Sequence, residues 1–137
     1  MDTEPLVNDT ENELRILSSA LTDPHDGECL LCYVHRMLEF GCTGLRWALR
    51  YRDLRAPRAT ALEDRLGQKG GFCDCEIFLN GYEPAEELWT PGREQDEGGR
   101  TYWVDAEPPE QMPPCRGVRA GSTKGCTLWV RRWRGAW

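Results

Sequence analysis

The chain has 137 residues, with 17 Lys and Arg, 23 Asp and Glu, 2 His and 7 Cys, for a formal net charge of −6. That length suits one domain, or one domain with an ordered tail, around a core of modest size. A net negative chain gives no global case for nucleic acid, and no apolar run approaches the ~18 residues that span a bilayer, so no transmembrane helix is expected.

Residues 1–8 read as an acidic leader. They lack the basic and apolar stretches of a signal peptide, which makes the cytoplasm the expected location. Asn8, Asp9 and Thr10 are competent N-caps, and Leu14, Ile16, Leu17 and Leu21 mark an amphipathic helix over 10–21. The run from Thr22 to Gly27 breaks it. Cys29 to Phe40 has helical spacing, with Leu30, Val34, Met37 and Leu38 in one stripe and Gly41 as its stop. Residues 44–55 predict a third helix with two apolar faces, a pattern for burial between layers. Pro57 suits the first turn of a fourth, which carries Ala61, Leu62 and Leu66 and stops at Gly67 or Gly70.

Beyond Gly71 the pattern changes. Cys73 to Asn80 has strand composition, and Asn80-Gly81 is a turn signal. Residues 83–100 are acidic with Pro and Gly, and predict a long surface loop anchored by Trp89. Residues 101–104 and 126–133 have β composition, and the proline-rich stretch 107–114 should be extended. The expected fold class is α+β: a small zinc-stapled domain with N-terminal helices followed by a short antiparallel sheet. Its expected divisions are an acidic segment with one helix (1–27), a cysteine-rich zinc-binding core (28–82), and an acidic loop with a Trp/Arg-rich β extension packing on that core (83–137).

Charge alternates in blocks. Residues 1–28 hold eight acids and one base, 29–72 eight bases and four acids, 73–110 eleven acids and two bases, and 111–137 six bases and no acid. Mutual pairing of the blocks is the simpler expectation; a basic tail seeking an anionic partner is the sharper one.

Seven cysteines in a cytoplasmic chain point to metal or reduced thiols rather than a disulfide framework, and the odd count leaves one unpaired in any all-disulfide scheme. Cys29 and Cys32 have the C-x2-C spacing of a zinc knuckle. Cys73 and Cys75, two apart, would project from one face of an extended strand. Joined, they predict a structural site of four thiolates for Zn, contributing on the order of 10 kcal/mol to folding. Two residues compete for a place. His35 lies one helical turn from Cys32. Cys42 would sit roughly 20 Å from Cys29 along a straight helix, and competes only if that helix starts late or bends. On a strand, Asp74 and Glu76 point away from the metal. Cys115 and Cys126 are expected to be buried or free thiols.

Cys29-Leu30-Leu31-Cys32-Tyr33, Phe40-Gly41-Cys42, Leu45-Arg46-Trp47, the run from Arg55 to Thr60, and Gly70-Gly71-Phe72-Cys73-Asp74-Cys75-Glu76 together resemble a bacterial domain of unknown function, number 2695, familiar from actinobacteria. The resemblance covers about residues 28–82, and its Cys-Asp-Cys-Glu element is the most specific part. It implies metal binding through the cysteines matching Cys29, Cys32, Cys42, Cys73 and Cys75, and implies no activity. The tail beyond Glu83 departs from the family's short ending.

Four thiolates close a zinc ion's shell, whereas catalytic zinc keeps a water position open, so enzymatic activity is not the favoured expectation. A metal-dependent enzyme stays as an alternative should the zinc prove to have an open site. Redox work by the C-x-C pair is disfavoured, because the neighbouring acids raise thiol pKa. A second alternative is a nucleic-acid-binding regulator using Arg46, Arg50 and Arg58 with Trp129, Arg131, Arg132 and Trp133, since basic residues interleaved with aromatics suit phosphate contact and base stacking. The leading expectation is a zinc-binding interaction or accessory module with a protein partner, its oligomeric state open.

Overall fold

The computed structural model describes residues 4–132, with side chains from residue 10 onward. Five helices precede most of the strands: α1 (Glu4–Thr22), α2 (Leu30–Met37), α3 (Arg46–Arg55), α4 (Leu62–Gln68) and the single turn α5 (Asp74–Glu76). Two antiparallel ribbons follow. One pairs β1 (Tyr82–Pro84) with β4 (Trp129–Arg131), and the other pairs β2 (Arg93–Glu97) with β3 (Arg100–Val104). The class is α+β, as the order of periodicities predicts.

The core is built where the helical stripes meet. α2 buries Leu30, Leu31, Tyr33, Val34 and Met37. α3 buries Trp47, Ala48 and Tyr51 across from it, and α4 adds Leu62 and Leu66. Ile77, Cys126, Leu128 and Trp129 close the same cluster from the later half of the chain. The Tyr33 ring sits edge-on to Trp47, with centroids 6.5 Å apart, and tilted against Tyr51 at 5.7 Å, distances at which aromatic pairs attract beyond their area burial. Gly41, at φ 107°, ends the short 3₁₀ turn that extends α2.

The segment 73–80 is not the expected strand. It forms α5 and then a π-type turn over Ile77–Gly81. The residues that face inward are Asp74, Ile77 and Gly81, three to four apart as on a helix, not two apart as on a strand. Asp74 is the reason. Its carboxylate is fully buried and accepts the backbone N–H groups of Trp47 (2.9 Å) and Ala48 (3.1 Å), while its own N–H donates to the Gly44 carbonyl (2.8 Å). A residue 27 positions downstream thus caps α3, which no side chain of its own N-terminus does. The acidic stretch 83–100 is also more ordered than a loop: it holds the end of β1, a 3₁₀ turn over Glu86–Leu88, and β2. Gly98 and Gly99, both at positive φ, make the tight turn into β3. The predicted strand 126–133 shrinks to β4, because Cys126 to Leu128 form a turn, closed by the Trp129 N–H on the Cys126 carbonyl, that buries Cys126 and Leu128; Trp133 lies outside the described residues.

The charge blocks pair with one another. Arg36–Glu28 (2.8 Å), Arg50–Asp23 (2.6 Å) and Arg55–Asp26 (3.9 Å) join the first acidic block to the first basic one. Arg116–Glu87 (3.0 Å) and Arg132–Glu83 (3.1 Å) join the second two. The exposed pairs contribute little each. Arg36–Glu28 differs: the Glu28 side chain is 5% exposed and is gripped through both oxygens, at 2.8 and 3.0 Å.

Candidate metal centre

Cys29, Cys32, Cys115 and Cys126 bring their sulfurs within 4.8 Å of one another, the one such group among the described residues. Cys29 is the N-cap of α2, in extended conformation, and its Sγ accepts the Cys32 N–H at 3.3 Å, as a serine or aspartate oxygen would. This places Cys32 one turn into the helix, beside it. The other two donors come from the far end of the chain. Val118 N–H donates to the Gly27 carbonyl (2.9 Å), which docks the 115–118 segment against the start of α2. The β1–β4 ribbon returns the chain so that Cys126 faces Cys32, with 3.7 Å between the sulfurs.

That spacing discriminates between chemistries. A disulfide needs about 2.05 Å. A tetrahedral zinc ion with Zn–S near 2.3 Å sets its sulfurs about 3.8 Å apart. All seven cysteines are free thiols.

Hydrogen-bond donors converge on these sulfurs. Cys115 Sγ accepts the N–H groups of Cys29 (3.2 Å) and Gly117 (3.3 Å). Cys32 Sγ accepts the Trp129 indole N–H at 3.3 Å. Such donors favour thiolate over thiol, and orient ligands for a metal. The Cys29 thiol is drawn down to about 5, chiefly by the Cys32 thiol that donates to it, with backbone amides of Cys32 and Cys126 assisting against burial. Cys32 is driven in the opposite direction by the same bond and by burial. Burial also moves Cys115 upward, against its two amides. Metal binding to such thiols requires them to give up their protons, and the donors gathered here favour the deprotonated form.

Of the expected set of Cys29, Cys32, Cys73 and Cys75, the structure brings Cys29 and Cys32 together with Cys115 and Cys126 rather than with Cys73 and Cys75. Cys73 and Cys75 are held elsewhere by Asp74, which fastens their segment to the start of α3, next to Cys42; the Cys75 N–H donates to Cys42 Sγ at 3.4 Å. Cys42 has no place among the four donors, and neither has His35. The imidazole lies against Phe78 (5.5 Å) and Trp129 (5.3 Å), and burial holds its pKa below the ordinary value. The missing pair left one trace in the sequence: Cys115-Arg116-Gly117, a cysteine followed by a glycine that adopts φ 86° and returns its N–H to the sulfur. The other five cysteines form ten pairs, any of which could have joined Cys29 and Cys32, and spacing alone does not settle which does.

The arginine and tryptophan candidates are largely engaged inside the molecule. Arg50 binds Asp23 and the Thr22 carbonyl, and Arg132 binds Glu83 and the Phe78 carbonyl. Arg46 stacks on Trp47 at 4.4 Å. Trp129 is buried over the thiol cluster. Arg58 and Arg131 are exposed, the latter 5.8 Å from the Tyr82 ring. A cavity of about 860 Å³ opens beside Cys32 and Cys115 and is lined by both histidines, His25 and His35, by Arg36 and by Trp129. No helix among the described residues is long and apolar enough to cross a membrane.

No curated protein and no solved structure matches the chain. Residues 30–80, spanning α2 to the π-type turn and containing Cys32, Cys42, Cys73 and Cys75, match the model of the family described as "Protein of unknown function (DUF2695)", the family that this segment resembles by its cysteine and glycine pattern.

Proposed function

We propose that Cys29, Cys32, Cys115 and Cys126 hold one zinc ion as a structural staple, and that the chain is an interaction or accessory module without chemistry of its own. The observation that carries this is the convergence of four sulfurs within 4.8 Å, with one edge at 3.7 Å. The ion would tie the start of α2 to the segment before β4, residues 97 positions apart at their extremes, and so fasten the C-terminal third to the helical core. Four thiolates leave no position for water, which disfavours the catalytic alternative despite the adjoining cavity. Internal pairing of Arg50 and Arg132 and burial of Trp129 remove three of the residues that a nucleic-acid surface would use. Apolar side chains open to a protein partner are Leu14, Ile16, Leu17 and Leu21 on α1 and Tyr102 and Trp103 on β3.

Metal analysis of purified, reduced protein tests the staple. Cys126→Ser should lose one zinc equivalent relative to the wild type, and an unchanged zinc content would refute the assignment. Titration with DNA and RNA oligonucleotides tests the rest. Little affinity is expected, and a steeply salt-dependent one would transfer the case to the nucleic-acid reading.

A further inference from the structure

Three cysteines take no part in that centre, yet they do not scatter. Cys42 Sγ accepts the Cys75 N–H at 3.4 Å, and the Cys42 and Cys73 thiols are hydrogen-bonding neighbours. The Glu76 carboxyl interacts with the Cys73 thiol as well. Burial, the ordinary reason for a free cysteine, does not account for them: Cys42 is exposed, and Cys73 and Cys75 are half-exposed. None is in a disulfide. Rigid structure holds them together. Asp74, between Cys73 and Cys75, is locked by three hydrogen bonds to the 44–48 backbone, and Gly41 and Gly44, both at positive φ, bracket Cys42. The amide-to-sulfur contact is of the same kind as those at the first cluster.

From this we infer a second metal site, formed by Cys42, Cys73 and Cys75, for a thiophilic closed-shell cation such as Zn²⁺. Three thiolates supply the soft donors, and Glu76 or a solvent or partner ligand takes the fourth position. The three sulfurs are not drawn as tightly as the quartet, and binding requires them to close up, which their exposure permits. The two sites differ in kind. The first has four thiolates, two of them (Cys29 and Cys126) buried in the core; the second lies at the surface with a replaceable ligand, and exchanges its ion readily. It depends on its own contacts alone, so its fate is separable from that of the first.

Native mass spectrometry of the full reduced chain with Zn²⁺ tests it. The wild type should carry two ions and Cys42→Ser one; the exposure of Cys42 makes that variant the safest to fold, and Cys75→Ser should match it. A chromophoric chelator should remove one equivalent quickly and the other slowly, and Cys42→Ser should abolish the fast phase. One ion in the wild type that Cys42→Ser keeps and Cys126→Ser loses would overturn this proposal and leave the staple standing. One ion kept in Cys126→Ser and lost in Cys42→Ser would uphold it and remove the staple. Peptide mapping that finds Cys42 and Cys73 joined as a disulfide in the reduced preparation, with no second ion, would also overturn it.

Discussion

Replacing Trp129 with Phe isolates the hydrogen bond that the core extends to the metal centre. The indole N–H donates to Cys32 Sγ at 3.3 Å, and the ring packs on Phe78 (centroids 4.9 Å) and His35 (5.3 Å). Phenylalanine keeps the ring in that stack and removes the donor. A hydrogen bond to a charged acceptor contributes about 1.5–3 kcal/mol. At about 1.4 kcal/mol per factor of ten, its loss should weaken zinc binding by roughly 10–100-fold, the range found when a partner of a metal ligand is deleted. The smaller ring also costs core packing, roughly 1–2 kcal/mol at a residue only 8% exposed. Competition against a chelator of known affinity measures the first effect, and urea unfolding the second. Ile77→Val serves as the control, because it trims a residue 1% exposed that offers no side-chain donor to the four sulfurs, at about 0.5–1.5 kcal/mol. Trp129→Phe should lower affinity well beyond Ile77→Val at similar stability. Equal affinities in the two variants would show that the indole N–H does nothing for the metal.

Asp74→Asn replaces a two-oxygen acceptor with one oxygen, stranding the N–H of Trp47 or Ala48; a loss of about 1–3 kcal/mol is expected by chemical denaturation, and no loss would deny that Asp74 caps α3. Arg36→Met leaves Glu28 charged in a site almost closed to water. A loss of about 2 kcal/mol, discounted because Arg36 is 30% exposed, should be largely recovered in the Glu28→Gln, Arg36→Met double variant. Two glycines should part company: alanine at Gly125 would set its Cβ 2.5 Å from Leu31 Cδ1 in the packed core and cost about 1–3 kcal/mol, whereas at Gly92 it meets the ring of Trp103, which is exposed and free to swing away. His35 ties stability to pH. Its folded pKa lies below the ordinary 6.5, so above that value both states are neutral, and as pH falls the unfolded chain takes up the proton first. Thermal stability should therefore drop between about pH 7 and pH 5.5, and less so in His35→Phe; identical slopes would contradict the burial of a neutral imidazole.

The helical half was legible because its signals are local. The stripes of α2 and α3, the Gly41 stop and the alternation of charge all act within a turn or between adjacent blocks, and Arg36, Arg50, Arg116 and Arg132 pair as that alternation suggests. What stayed hidden depends on distant residues. The strand composition of 73–80 gave way to a helical turn because Asp74 found two unsatisfied N–H groups at the start of another helix. That one carboxylate also moved Cys73 and Cys75 away from Cys29. The apolar stripe of α1 is a local signal too, yet Leu14, Leu17 and Leu21 remain about 60% exposed, since no other element of the described chain covers them. The spacing of Cys29 and Cys32 was enough to mark two candidate ligands, but which thiols lie beside them is decided by how β4 returns to β1, and no short-range pattern records that pairing.

Sulfur counting around the ion tests the closed staple most directly. Zinc X-ray absorption on Cys42→Ser, which removes the surface site, should show four sulfurs at about 2.3 Å and no light-atom ligand. Oxygen or nitrogen in that shell, or a protein without bound zinc, would contradict a centre made by Cys29, Cys32, Cys115 and Cys126.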